Sequence, residues 1–317
     1  MRPHAHDRGR IPRLLVAVVA CVLALAASAQ VRDELHPGEY AWTPGLAPAG
    51  PVLVVVSLPA QRAWVYRNGV RIGTSTVSTG RPGHETPAGI YSILQKRREH
   101  YSNLYDNAPM PFMQRLTWDG IALHAGHLPG YPASHGCIRL PLAFAERLFA
   151  TTDADTTVVV SDVAEQAPLL VPGPFAGAAA KPGASHVDPA TPVAGWHPER
   201  AAEGPLTLLL GTRDGLLVAL RGGIEIGRVA VTASGLPVGT FVYTLREGSL
   251  EGTPAVFRDR PARPWDMVVV EGDPGMQPDL RGAIAEGKLA IPAPFARAVY
   301  DALVPGTTLV VTDQRLE

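Results

Sequence analysis

Ile121-Ala-Leu-His-Ala-Gly-His-Leu-Pro-Gly-Tyr-Pro-Ala-Ser-His-Gly-Cys-Ile-Arg-Leu-Pro141 is the most informative stretch of this 317-residue chain. It gathers three histidines, one serine and one cysteine into a short span. A thiol is only slightly ionised near neutrality, and a neighbouring imidazole raises that fraction. A cysteine plus a histidine is therefore the minimum set for thiol acyl transfer. His124 follows the apolar run Ile121 to Leu123, which reads as a strand, so a rigid element holds it. Ser134-His135-Gly136-Cys137 places backbone N–H groups near the sulfur, where they can hold an oxyanion. Gly136 allows close backbone approach.

Each residue also has a plainer reading. Cys137 can be an inert, buried small hydrophobe. His127 can join His124, His135 and Cys137 around zinc, but the spacing lacks a matching second ligand pair, so no metal and no other cofactor is expected. Arg139 can brace the turn, Tyr131 can anchor the loop, and His84 sits in a Gly/Pro loop that suits a solvated side chain.

Composition sets the compartment and the scale. The length suits two domains of ordinary size. With a net charge of −1, no nucleic-acid surface is indicated. Gly (32) and Pro (31) suit short strands joined by turns. Arg2, Arg8, Arg10 and Arg13 precede an apolar run from Leu14 to Ala27, and Ala27-Ser28-Ala29 gives a small-x-small cleavage pattern. Residues 1–29 are thus expected to be a signal peptide, with export to the periplasm or cell envelope and no stable membrane insertion after cleavage. An uncleaved anchor and lipidation at Cys21 are the alternatives. Cleavage removes Cys21, leaving Cys137 as an unpaired thiol in an oxidising compartment.

Residues 30–50 read as a loose lead-in. Strands are expected at 52–56, 62–66, 70–79, 89–94 and 156–160, with a helix over 141–150 from the spacing of Leu142, Phe144, Ala145 and Leu148. Asn68-Gly69 is a hairpin signal. Residues 164–204 are dominated by Ala, Pro and Gly and read as a linker.

After the linker the pattern recurs. Pro51-Val-Leu-Val-Val-Val matches Pro205-Leu-Thr-Leu-Leu-Leu, and Arg67-Asn-Gly-Val-Arg-Ile-Gly73 matches Arg221-Gly-Gly-Ile-Glu-Ile-Gly227 without a gap. Pro87-Ala-Gly89 matches Pro237-Val-Gly239, and Thr156-Thr-Val-Val-Val-Ser-Asp162 matches Thr307-Thr-Leu-Val-Val-Thr-Asp313. Domains are accordingly expected at 51–163 and 205–317. Extending the C-terminal match backwards puts Lys288 opposite Cys137 and Glu286 opposite His135, and residues 239–288 contain no histidine. A scaffold that recurs without these residues does not need them to fold.

His124, the loop from Ala125 to Ala133, and Ser134-His135-Gly136-Cys137-Ile138-Arg139 together resemble the L,D-transpeptidase (YkuD-like) catalytic domain; Thr79-Gly80 and Thr86-Pro87-Ala88-Gly89 fit it as well. The loop is shorter than is usual in the family. The resemblance implies a mainly β fold, a YkuD-like β-sandwich with short helices, followed here by a degenerate copy. It implies Cys137 as nucleophile, His124 as base and acid, and the Ala125 carbonyl orienting the His124 ring. Ser134, His135 and Gly136 would shape the oxyanion site, with Arg139 binding substrate. The partners implied are peptidoglycan stem peptides: the thiolate attacks the L,D bond of a tetrapeptide, expels D-alanine and passes the acyl group to an acceptor. That acceptor stays open between a diaminopimelate amine, a lipoprotein and water, the last making a carboxypeptidase. A non-catalytic wall-binding protein is the alternative of a different class. Oligomeric state is not legible.

Overall fold

A computed structural model describes residues 35–102, 107–164, 168–172, 193–250, 260–273 and 275–316. The signal-peptide and Cys21 readings fall on residues 1–34, outside the described residues. The first lobe runs β1 (Tyr40–Trp42), a 3-10 turn (Pro44–Leu46), β2 (Val52–Ser57), β3 (Arg62–Arg67), β4 (Val70–Thr76), β5 (Gly89–Ser92), β6 (Gln95–Arg97), β7 (Met113–Arg115), β8 (Ala122–Ala125), β9 (Ile138–Leu140), α1 (Leu142–Thr151) and β10 (Thr157–Ser161). Its strands form a six-stranded sheet, β1-β4-β3-β2-β10-β5, and a four-stranded sheet, β6-β7-β8-β9.

The valine-rich β2 and β10 pair in parallel at the centre of the larger sheet. Val54, Val56, Val158 and Val160 face a core shared with Leu123, Ile138, Leu140, Phe144 and Leu148. This core joins the two sheets and the buried side of α1. The alternate residues Leu53, Val55 and Val159 lie on the sheet's other face, which is also buried. Burial on both faces is why these strands read as continuous apolar runs rather than alternating ones. The β3–β4 hairpin turns at Asn68 (φ 46°) and Gly69 (φ 75°), the left-handed pair that such a turn requires.

The second lobe runs β11 (Leu169–Pro172), a 3-10 turn (Pro198–Arg200), β12 (Leu206–Gly211), β13 (Leu216–Arg221), β14 (Ile224–Ala230), β15 (Thr232–Ala233), β16 (Thr240–Leu245), β17 (Pro264–Glu271), α2 (Leu280–Ala285), β18 (Leu289–Ala290), α3 (Ala293–Ala302) and β19 (Thr308–Thr312). Its large sheet is ordered β11-β17-β16-β19-β12-β13-β14. The inner order β14-β13-β12-β19-β16 parallels β4-β3-β2-β10-β5 of the first lobe, including the parallel central pair. The β3–β4 and β13–β14 hairpins carry β-bulges at corresponding places, between Val65 and Tyr66 and between Ala219 and Leu220. Trp42 packs edge-on against Phe144, and Trp196 likewise against Phe295. In each case the indole covers a glycine, Gly73 or Gly227, where a Cβ would come within 2.6 Å of the ring.

Two expected boundaries change. Residues 30–50 are more than a lead-in: β1 pairs with β4, and Ala47 is buried. Residues 164–204 are not linker throughout: β11 joins the second lobe beside β17, and Trp196 belongs to that lobe's core. Both additions are short and lie among Pro and Gly, so they carry no periodic signal.

The large sheets meet face to face. Leu53, Val55, Trp64, Tyr66 and Val159 of the first pack with Val242, Val268, Val270 and Val310 of the second. A buried Thr157–Thr308 hydroxyl contact of 3.1 Å and a Ser161 Oγ–Val269 carbonyl bond of 3.0 Å cross this seam. At its edge Arg246 Nε donates to the Asn68 carbonyl (2.9 Å) and lies 3.4 Å from the buried Asp266 carboxylate.

Candidate active site

The four-stranded sheet builds the site. Register puts Arg115 opposite Ala122 and His124 opposite Arg139. Side chains alternate along a strand, so Leu123, Ala125, Ile138 and Leu140 face the core. Met113, Arg115, Ala122, His124 and Arg139 share the opposite face. Cys137, one residue before β9, falls opposite Ala122 and on that same face. There it lines a cleft of about 640 Å³ with His124, Ser134, His135, Arg139, Arg115 and other residues.

His124 is buried, and its Nδ1–H donates to the Ala125 carbonyl at 2.8 Å. That bond fixes the neutral tautomer with its free lone pair on Nε2. Burial pushes the His124 pKa down to about 4; the Ala125 carbonyl opposes this, and Arg139 and His100 add to it. Burial likewise pushes the Cys137 thiol up, against the Ala122 N–H and the positive charges of Arg139 and Arg115. Both groups are thus neutral at pH 7. The thiol rests as a donor to the Gly120 carbonyl, Sγ···O 3.3 Å.

The turn before Cys137 is bound internally. Ser134 Oγ accepts from the Gly136 N–H (3.1 Å) and donates to the Cys137 carbonyl (2.5 Å). The Gly136 N–H is therefore occupied, and Ser134 shapes the turn rather than reaching into the cleft for a ligand. Gly136 sits at φ 106°, a conformation that favours glycine. His135 is tied to the neighbouring loop: its Nε2 accepts from Arg81 at 2.8 Å, and its ring stands 4.8 Å from that of His84. Among the residues read as loop features, His127 lines the cleft. Tyr131 is exposed, and its carbonyl accepts from Ser78 Oγ.

Residues 51–160 match the family model of the L,D-transpeptidase catalytic domain, YkuD. This segment is a YkuD-type L,D-transpeptidase domain. Similar solved structures include an L,D-transpeptidase from Mycobacterium tuberculosis H37Rv, with 26% identity over 35% of this chain and 58% of that one, TM-score 0.34. Another is an L,D-transpeptidase (Yku) from Stackebrandtia nassauensis, with 27% identity over 44% of this chain and 63% of that one, TM-score 0.32. The chain thus spans about three fifths of the length of these structures. No curated protein matches the chain.

Two residues of the YkuD domain escaped the sequence reading as parts of the site. Thr86 is buried, accepts from the Gly80 N–H (2.8 Å) and donates to the Gly136 carbonyl (2.8 Å). It clamps the peptide that precedes the thiol. The Thr86-Pro87-Ala88-Gly89 string was visible, but nothing in it says that its hydroxyl reaches a segment 50 residues away. Arg115 reaches the cleft only through strand register, which no local motif reveals.

Proposed function

We propose that this cleft carries out L,D-transpeptidation of peptidoglycan stem peptides, with Cys137 as nucleophile and His124 as general base and acid. One observation carries the reading: in a YkuD domain, the thiol and an imidazole with a free Nε2 lone pair share one cleft face. Since both groups rest neutral, the proton leaves the thiol as it attacks rather than beforehand. Cys137 Sγ–H swings from the Gly120 carbonyl to His124 Nε2, which takes the proton while sulfur adds to the scissile carbonyl. The tetrahedral oxyanion forms beside the Cys137 N–H, whose peptide Thr86 holds through the Gly136 carbonyl. Collapse breaks the C–N bond, His124 returns its proton to the departing D-alanine amine, and a thioester remains. An amine or water then attacks the thioester, with His124 again taking a proton, and the thiol is restored.

The second lobe, in this reading, is a degenerate copy of the first. Its matching strand order, bulge position and Trp/Phe/Gly packing support a duplication, while Lys288 stands where the thiol would be. Lys288 is exposed and its ammonium is ion-paired with Glu286 at 2.6 Å, so it is not poised as a nucleophile. Its role is to cover the first lobe's sheet. The basic N-terminal segment and apolar run support export to the periplasm or envelope, where the substrate lies.

Purified muropeptides incubated with the protein and resolved by mass spectrometry test the proposal. Loss of D-alanine from tetrapeptides, absent in Cys137→Ser, is expected, and crosslinked dimers or free tripeptides identify the acceptor. Unchanged turnover by a folded Cys137→Ser variant refutes the assignment.

A further inference from the structure

Arg115 and Arg139 line the same cleft as the reactive pair. β7 carries Arg115, β8 carries His124, and β9 carries Arg139, with Cys137 just before it. Neighbouring strands are roughly 4.8 Å apart and two residues span roughly 6.7 Å, so the two arginine backbones, two strands and two residues apart, lie about 12 Å from each other across the cleft floor. Gly126 leaves room for the Arg139 stem, since a Cβ there would lie 3.0 Å from Arg139 Cγ and Cδ. Arg139 has no ion pair among the described residues. Arg115 has none either; its Nε makes only a long contact, 3.4 Å, with Gln95 Oε1. Its guanidinium lies 5.8 Å from the ring of Trp118, which is 73% exposed on the β7–β8 turn. The guanidinium thus lies near the indole, and its terminal N–H groups have no carboxylate partner among the described residues.

A partly buried guanidinium with no carboxylate partner is unusual, because the fork of N–H donors matches a carboxylate bidentately. The described lining of the cleft contains no Asp or Glu. Its charge is wholly positive, and the same arginines act on His100, His124 and Cys137.

We propose that Arg115 is a substrate anchor that takes a carboxylate of the acyl donor, reaching the cleft from across β8, whereas Arg139 shares the thiol's own strand two residues on. The donor is then selected as a peptide bearing two anionic groups near the scissile bond, one for each arginine. This rests on the acyl-transfer reading of the cleft and adds the feature that sets its donor specificity. A donor with one carboxylate converted to carboxamide leaves Arg115 facing a neutral group and loses the charge-assisted pair.

The test is kinetic and uses the full chain. Three synthetic stem tetrapeptides are compared: one with free carboxylates, one amidated at the C-terminus, and one amidated at the third residue's side-chain carboxylate. Each is assayed with wild type, Arg115→Gln and Arg115→Lys. For wild type, one amidation lowers kcat/KM by about 10- to 100-fold, the range for a hydrogen-bonded charge pair. In Arg115→Gln the free and amidated forms of that donor converge to within about threefold, and Arg115→Lys keeps part of the preference. Equal losses on all donors in Arg115→Gln, or an undiminished preference, overturn the anchor while leaving the acyl-transfer reading in place. No turnover of any donor by wild type overturns that reading and the anchor with it.

Discussion

The burial of His124 has a measurable thermodynamic cost. Its imidazole titrates near 4 in the folded chain, against 6.5 for an unperturbed histidine. Between those values the unfolded chain binds a proton that the native site refuses, so stability falls as the pH drops through that window. From pH 7 to pH 4 the loss at this residue is about 3 kcal/mol, since each pKa unit is worth about 1.4 kcal/mol. His124→Asn removes the titration and keeps a polar side chain able to donate to the Ala125 carbonyl. Urea unfolding of both proteins at pH 7, 5.5 and 4 reads the difference. Wild type should lose about 3 kcal/mol more than the variant across this range, with most of the excess below pH 6. Parallel losses refute the buried neutral imidazole. The same burial moves the acid limb of the rate profile, because His124 stays competent as a base well below 6.5; an acid limb at 6.5 contradicts it.

Other outcomes follow from the same geometry. His124→Ala should lower the rate roughly 10²- to 10⁴-fold, the range for a lost general base, with little effect from His127→Ala, in a D-alanine release assay. Thr86→Val leaves the Gly136 carbonyl and Gly80 N–H unpaired in a buried turn, at about 1–3 kcal/mol each. Steady-state kinetics should show kcat falling more than KM changes, with recovery in Thr86→Ser; a normal kcat in Thr86→Val removes Thr86 from the clamp. Ending the chain at Ala164 uncovers Leu53, Val55, Trp64, Tyr66 and Val159. At about 1.5–3 kcal/mol per large apolar side chain, that rivals a whole domain's typical stability. The truncated chain should aggregate or unfold in size-exclusion and thermal scans, and a monomeric, fully active fragment contradicts the covering role of the second lobe.

Much of the fold was legible because the decisive signals are local. Val52–Ser57 and Thr157–Ser161 are short β-branched strands bounded by turns, and Asn68-Gly69 marks the hairpin at its observed place. The spacing of Phe144, Ala145 and Leu148 gives α1 its buried side. Cys137 and His124 stand out chemically in the sequence, and the structure sets both in one cleft. What stayed hidden depends on long-range pairing. β1 and β11 are short and sit at sheet edges, stabilised by partners rather than by their own pattern. Arg115 looks like any strand-end arginine until register sets it in the cleft that holds the thiol. Neither could the occupied Gly136 N–H be foreseen, since Ser134 takes it only once the turn has closed.

Intact-mass and peptide-mapping analysis of the protein, quenched with acid during turnover of a stem tetrapeptide, tests the central claim most directly. The account predicts a thioester adduct equal to the donor less D-alanine, carried on the peptide containing Cys137 and absent in Cys137→Ser. Turnover without an adduct on Cys137, or an adduct on another residue such as Lys288, contradicts it.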